Sequence, residues 1–179
     1  DVTGVAEAIS AFQQAGVTAL VVDVRSNPGG LLTDVVDICD MLLPEGLIVY
    51  TEDRNGNREE FYADAEYWDV PLAVLVNGMS ASASEIFAGA VKDSGRGVVV
   101  GETTYGKGVV QTLYSFAEGD GVQLTTSAYY TPSGNSIHGV GVEPDIEASL
   151  EGSSVVVYYA PDPSGDAQLR AALDALGVN

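Results

Sequence analysis

The chain has 179 residues, of which 46% are hydrophobic and 18% charged, a composition typical of one globular domain with its own core. Its 26 acidic residues outnumber 7 basic ones, for a formal net charge of −19, which argues against nucleic acid or anionic lipid as a partner because both require a basic surface. No apolar run reaches the ~18 residues that indicate a membrane span. The single cysteine, Cys39, excludes an intrachain disulfide, and with only one histidine, His138, a protein-built zinc site is not expected.

The first part of the chain alternates helical and strand patterns. Val5, Ile9 and Phe12 lie on one helical face that ends at Gly16. The β-branched run 18–24 is short enough for a buried strand. The patterns that follow predict a helix over 31–43, a hairpin of 46–53 and 58–64 around Asn55-Gly56, a buried strand over 70–78, a helix over 82–92 and a short strand over 97–102.

The later part is richer in strands. Alternation over 109–116 and 121–131, joined through a Gly-Asp-Gly turn, predicts an antiparallel pair. Residues 132–145 read as a loop, 153–159 as a further strand and 166–177 as an amphipathic helix, with Cys39 expected in the core. Strand–helix alternation followed by β-rich additions favours an α/β fold. We expect a core over 1–150 and a C-terminal strand and helix over 151–179 that packs on it.

A ladder of alternating serines, "SASASE", begins the helix at 82–92. Ser82 and Glu85 fit a capping box, in which both side chains satisfy unpaired N–H groups at a helix start. The ladder also follows a buried strand that ends in Asn77-Gly78. A hydroxyl at such a strand-to-helix turn lies at the positive end of the helix dipole, where a developing alkoxide is stabilised. The ladder therefore fits both a helix cap and a serine nucleophile.

A serine nucleophile requires a base. His138 is the only histidine, and a lone histidine in a glycine-rich loop is more often a surface residue. Of the two lysines, Lys92 lies ten residues along the helix from Ser82, about 15 Å at the α-helical rise, too far for proton transfer. Lys107 lies between two glycines with no acidic residue within four positions. In close-packed apolar surroundings such an amine loses its proton more readily, so Lys107 is the better candidate, although a solvated loop lysine fits the same pattern.

The stretch "SNPGG" separates the first predicted strand from the next helix. Paired glycines allow a tight turn and the close approach of another chain. Asn27–Gly30 can therefore form an oxyanion hole or a platform of backbone N–H groups for a substrate strand, or it can simply connect strand and helix. It does not match the glycine-rich motifs that bind nucleotides.

Four stretches in this chain together resemble the carboxyl-terminal processing, or tail-specific, serine peptidases. They are "VVDVRSNPGGLL", "VLVNGMSASASEIFAGAVKDSGRGVVVGETTYGKGVVQT", "LTTSAYYTPSGNSIHGVGVEPD" and "DAQLRAAL", which occur in the family's order and cover nearly the whole chain. The resemblance implies that Ser82 is the nucleophile and Lys107 the general base. It also implies that Gln111 orients the lysine, and strand periodicity from Lys107 to Gln111 would place both on one face.

The same resemblance implies further site residues. The oxyanion hole is expected from the backbone N–H of Ala83 and of Gly29 or Gly30. Asp93 matches an acidic position that some members need, and Arg96 is a candidate ion-pair partner for it. His138 stands where the family commonly has glutamine, which argues further against a role as base.

Fold, partners and location also follow from the resemblance as expectations. The fold is an α/β, crotonase-like (ClpP/crotonase-type) peptidase core without the PDZ domain that usually precedes it, and without the first core strand. The resemblance implies a protein substrate with an apolar C-terminal segment and no need for a cofactor. It is compatible with a homo-oligomer and implies an extracytoplasmic location in a bacterial cell envelope.

Three other functions are compatible with parts of the pattern. A core without its PDZ domain could bind a peptide or partner chain without cleaving it. A crotonase-like acyl-CoA enzyme would require a basic rim, which seven dispersed basic residues do not suggest. A Ser-His-Asp hydrolase would have to use His138.

Overall fold

A computed structural model describes residues 1–150 and 164–178. Four helices lie within them, and we number them in chain order: α1 (Val2–Gln14), α2 (Leu32–Asp40), α3 (Ala83–Asp93) and α4 (Ala167–Ala175). The strands there are β1 (Leu20–Asp23), β2 (Gly46–Asp53), β3 (Arg58–Ala63), β4 (Leu72–Val76), β5 (Val98–Gly101), β6 (Val109–Ser115), β7 (Gly121–Tyr130) and β8 (Ile146–Glu147). None of the helices in these two ranges is long and apolar enough to cross a membrane.

The strands form two sheets. The first is parallel, in the order β1-β4-β5-β8, with Leu20 opposite Leu72 and Ala73 opposite Val98. The second is antiparallel, in the order β3-β2-β7-β6. Every residue of β4 is buried. This burial explains its continuous apolar sequence, because a parallel strand covered on both faces has no solvent side to make polar.

Helix α3 lies between the sheets and contacts β4, β5 and β2. Its residues Ala83 to Val91 are all buried, which the run of small and apolar side chains permits. Val74 and Val76 of β4 belong to the same core cluster as α3, whereas the alternate residues Ala73 and Leu75 pack with Ala172 of α4. The parallel sheet is therefore covered by α3 on one face and by α4 on the other.

The predicted α/β class is confirmed, and most elements lie where the patterns place them. Gly16 ends the first helix region with φ +70°, the hairpin turns at Asn55-Gly56, and Cys39 is fully buried. Burial raises the pKa of the Cys39 thiol well above its ordinary value, as a core residue requires. The two-residue strand β8 was not predicted, since it is too short to show an alternation. The strand predicted over 153–159 lies outside the described residues.

Phe87 lies in the core of α3 and is 3% exposed, whereas Phe12 of α1 is 41% exposed. We expect Phe87→Ala to lower the free energy of unfolding by about 3–5 kcal/mol, because it leaves a cavity between the sheets. Phe12→Ala should lower the free energy of unfolding by less than about 1 kcal/mol, because this side chain is largely exposed. Urea titration of both variants checks this, and equal losses would contradict the position of α3 in the core.

Candidate functional site

Ser82 lies at the turn between β4 and α3, with φ 56° and ψ −119°. A non-glycine residue rarely adopts a positive φ, and such strain persists only where the surroundings enforce it. Ser82 is half-buried, and its backbone N–H donates to Glu85 Oε2 at 2.8 Å. The predicted capping box is therefore present, and the same turn presents the serine at the start of a buried helix.

The other two serines of the ladder tie this turn to the turn after β1. The Ser80 hydroxyl is fully buried and donates to the Val24 carbonyl at 2.7 Å. The Ser84 hydroxyl donates to the Asn27 carbonyl at 3.1 Å. Both hydroxyls therefore have structural partners, and among the three only that of Ser82 lies beside Tyr129.

Gly29 packs directly against Ser82. It has φ +94°, and a Cβ at this position would lie 2.7 Å from Ala83 N and 2.9 Å from Ser82 Cβ. Only glycine fits here, because both the backbone conformation and the space exclude a side chain. The tertiary fold thus brings together the "SNPGG" turn and the serine ladder, which the sequence analysis identified separately.

The N–H groups of this region are not equivalent. That of Gly29 donates to Asn27 Oδ1 at 2.9 Å. Those of Gly30 and Ala83 donate no hydrogen bond within the described part of the chain, and Gly30 is exposed. Of the two glycines expected at an oxyanion hole, Gly30 therefore has the available donor in this conformation.

Glu85 connects the serine turn to the lysine loop. Its carboxylate is completely buried and accepts hydrogen bonds from Ser82 N (2.8 Å), Thr104 Oγ1 (2.6 Å), Gly106 N (2.6 Å) and Lys107 N (2.8 Å). A buried carboxylate is stable only with such a set of donors. The capping box identified only the first of these bonds; the other three come from residues 19 to 22 positions away and left no local signal.

Lys107 is half-buried in a loop packed against residues 138–141. A Cβ at Gly106 would lie 3.1 Å from Val140 N, and one at Gly108 would overlap the His138 backbone, so this close approach explains the Gly-Lys-Gly sequence. Among the described residues, Lys107 Nζ makes no hydrogen bond, including to Ser82. Lys92, by contrast, bonds the Glu143 carbonyl at 2.7 Å and pairs with Asp145 at 3.1 Å.

The remaining predicted site residues lie at the edge of this arrangement. Gln111 is exposed on β6 and makes no hydrogen bond to Lys107 in the described structure. Lys107 precedes β6, and a register shift falls between Val110 and Gln111, so the strand alternation used to place them on one face is interrupted. The role of Gln111 stays a prediction.

Asp93 and His138 have other surroundings. The suggested pairing of Asp93 with Arg96 is wrong: Asp93 accepts from the Ser133 N–H and hydroxyl, while Arg96 donates to the Trp68 carbonyl at 2.8 Å. Asp93 therefore holds the loop after β7. His138 is exposed in its loop. Within residues 1–150 and 164–178, no three His, Cys, Asp or Glu side chains are grouped as a metal site.

Tyr129 of β7 is a site residue that the sequence analysis missed. It is 2% exposed, and its hydroxyl donates to the Lys107 carbonyl beside the Ser82 side chain. Burial raises the pKa of Tyr129 above its ordinary value; the interaction with Ser82 lowers it, and the Glu85 charge raises it further. The phenol is therefore a neutral hydrogen-bonding group at neutral pH. The pattern of β7 marks a strand and does not distinguish this tyrosine from Tyr130.

The close approach at Gly29 predicts a sharp difference between two adjacent glycines. Gly29→Ala should lower the free energy of unfolding by about 2–5 kcal/mol, from the positive φ and the overlap with the serine turn. A Cβ at Gly30 would have no atom within 4 Å, so the free energy of unfolding of Gly30→Ala should stay within about 0.5 kcal/mol of the parent value. Thermal unfolding followed by circular dichroism measures both, and equal effects would contradict the contact.

The hydrogen bonds of Glu85 predict that Glu85→Gln destabilises the chain by roughly 3 kcal/mol or more, because an amide cannot accept from all four donors and turns an NH₂ group toward them. Glu102→Gln is the matched control, since Glu102 is exposed in the same segment. Denaturant titration gives both values. A Glu85→Gln variant as stable as its control would show that the carboxylate does not hold the two loops.

Comparison with known proteins assigns the family. The model of Peptidase family S41 matches residues 2–148. The carboxyl-terminal-processing protease of Synechocystis sp. is 43% identical over 173 residues, which is 96% of this chain and 40% of that protein. The chloroplastic C-terminal processing peptidase of Tetradesmus obliquus is 43% identical over 147 residues, or 81% of this chain and 32% of that protein. The chain thus spans less than half the length of these relatives.

Solved structures agree with the sequence relatives. The photosystem II D1 C-terminal processing protease superposes with a TM-score of 0.73 at 42% identity, over 80% of this chain and 38% of that one. An S41 protease structure from Bacteroides fragilis shares the fold, with a TM-score of 0.73 at 19% identity, over 94% of this chain and 47% of that one. The chain belongs to Peptidase family S41, with relatives named as carboxyl-terminal-processing proteases.

Proposed function

We propose that this chain carries the catalytic core of a serine endopeptidase that cleaves protein substrates near their C-termini by a Ser82–Lys107 mechanism. The observation that carries the proposal is the strained Ser82 turn at the start of α3, joined through the Glu85 carboxylate to the backbone of Lys107. A serine on a strained strand-to-helix turn and an amine on a loop fixed to that turn are the two parts that this chemistry needs. The family assignment supports the reaction class.

In the proposed reaction, neutral Lys107 takes the proton of the Ser82 hydroxyl while Oγ bonds to the substrate carbonyl carbon. The C–N bond then breaks, and Lys107 gives that proton to the leaving amine. Water attacks the acyl-enzyme ester, Lys107 accepts its proton, and the proton returns to Ser82 Oγ as the new carboxyl terminus leaves. The Ala83 and Gly30 N–H groups are the proposed donors to the oxyanion.

Proton transfer requires the Lys107 side chain to turn toward Ser82. Its backbone is fixed from two sides, by Glu85 at the N–H and by Tyr129 at the carbonyl, while Nζ makes no hydrogen bond among the described residues. Rotation of the side chain is therefore compatible with a fixed loop. We infer that Gln111, at the start of the neighbouring strand, accepts from the lysine only once it has turned.

The surroundings support an apolar, extended substrate segment. Exposed apolar side chains lie on the loops around Ser82: Leu31, Met79, Tyr105 and Val140. Strand β6 directly follows the lysine loop and is an edge of its sheet. An extended peptide that adds to this edge would bring its backbone to Ser82, with side-chain specificity from the apolar rim.

Because its relatives are bacterial and chloroplastic, we place the protein outside the cytoplasm. A PDZ domain in the full-length protein is part of the same proposal.

We expect Ser82→Ala and Lys107→Arg each to reduce cleavage of an unfolded protein such as reduced casein by about 10³-fold or more. Alanine removes the nucleophile, and arginine stays protonated and cannot act as a base. The measurement is the rate of fragment formation, with folding checked by circular dichroism.

Lys92→Arg is the matched control, since it keeps a charge whose partners are Glu143 and Asp145, and it should retain cleavage. Ser80→Ala and Ser84→Ala should lower the free energy of unfolding and affect the cleavage rate much less than Ser82→Ala, because their hydroxyls bond to backbone carbonyls. Full activity of Ser82→Ala would refute the assignment, and loss of activity in His138→Ala would favour a histidine base. If the parent chain binds a peptide without cleaving it, the non-catalytic binding alternative is correct.

A further inference from the structure

Arg25 is a buried cation held by two separate parts of the chain. It lies two positions after the end of β1 and is 3% exposed. Its guanidinium bonds Asp23 at 2.7 Å, Asp166 Oδ2 at 2.8 Å and Gln168 Oε1 at 2.9 Å. Asp23 is a sequence neighbour, whereas Asp166 and Gln168 come from the start of α4, more than 140 positions away. A buried guanidinium needs such partners because water cannot reach it.

The start of α4 is itself well fixed. Asp166 caps the helix by accepting from Leu169 N at 2.9 Å, and Gln168 Nε2 donates to the Ala148 carbonyl at 2.8 Å. Ala172 packs on the parallel sheet. Although burial disfavours the ionised form, the Arg25 hydrogen bond and charge keep the pKa of Asp166 below its ordinary value, so the carboxylate is ionised at neutral pH. Arg25 therefore contacts a rigid anchor.

Residues on either side of Arg25 bond to the two residues that precede Ser82. The Val24 carbonyl accepts from the Ser80 hydroxyl at 2.7 Å, and the Asn27 carbonyl accepts from Ala81 N at 3.0 Å. Ser26, between them, has φ 57°. Ser26 and Ser82 are the two non-glycine residues with positive φ in the described ranges, and strain of this kind, on the order of 1–3 kcal/mol each, must be held by the surroundings.

We propose that Asp166 and Gln168 are positioning residues for the catalytic turn. They fix Arg25, and Arg25 fixes the strained segment 24–30, which carries the proposed Gly30 donor and packs against Ser82 and Ala83. The expected effect of these residues on turnover rests on the proposed function. Their expected effect on the conformation of segment 24–30 is independent of it. It extends the site to a helix beyond residues 2–148, the part of the chain that the family model matches.

The test compares Asp166→Asn with Asp174→Asn, an exposed carboxylate farther along α4. Hydrogen exchange by mass spectrometry on the full chain should show at least about tenfold faster exchange of peptides within 24–31 in Asp166→Asn, and no change in Asp174→Asn. Peptidase assays should show kcat lowered about tenfold with KM altered less than about threefold. The substitution shifts the proposed oxyanion donors but leaves the surface that would bind the substrate unchanged. Asp166→Glu should restore part of the loss. Gln168→Met keeps the side-chain length but removes the acceptor for Arg25 and the donor to the Ala148 carbonyl. It should also speed exchange in 24–31 and lower kcat, and it serves as the test if Asp166→Asn does not fold.

Unchanged exchange in residues 24–31 would overturn the inference whatever the activity. Faster exchange with an unchanged kcat would also overturn it, since a merely structural tether lowers stability without affecting turnover of folded enzyme. If the parent chain cleaves nothing while exchange responds as expected, the proposed function fails and the positioning of the segment by α4 stands.

Discussion

The buried Glu85 carboxylate is the interaction on which the geometry of this site depends, because it accepts hydrogen bonds from both the serine turn and the lysine loop. Ser82 and Lys107 lie 25 positions apart, on separate elements. A single carboxylate with no access to water therefore joins the two elements directly. Four donors around one carboxylate leave few alternative arrangements, since any other orientation would bury an unpaired charge or N–H group.

The strain at Ser82 is maintained by contacts rather than by its own sequence. The Ser80 and Ser84 hydroxyls bond the turn after β1, Gly29 packs against Ser82, and Tyr129 lies beside the Ser82 side chain. Serine itself does not favour φ 56°, so the free energy that holds this conformation comes from the two sheets and the helix between them. The Ser82 turn is therefore held by several contacts, whereas Lys107 is held through its backbone N–H and carbonyl.

Local patterns predicted the elements of the fold well, for reasons visible in particular residues. β4 is a continuous apolar run because both of its faces are covered, and the β2–β3 hairpin follows from alternation around Asn55-Gly56. Elements whose signals were weak or absent were missed or misjudged. β8 has only two residues, and the shift between Val110 and Gln111 interrupts a periodicity that had been assumed to continue from Lys107.

By itself the sequence determined the α/β class, the family resemblance, the serine ladder and the isolated lysine, because each of these is carried by short local stretches or by their order along the chain. Only the tertiary structure decided that Ser80 and Ser84 hydroxyls bond to main-chain carbonyls, that Glu85 reaches Lys107, and that α4 reaches Arg25. These contacts join residues between 22 and 143 positions apart. Their physical basis is the burial of charged and polar groups, which must find partners wherever the packing of the sheets brings them.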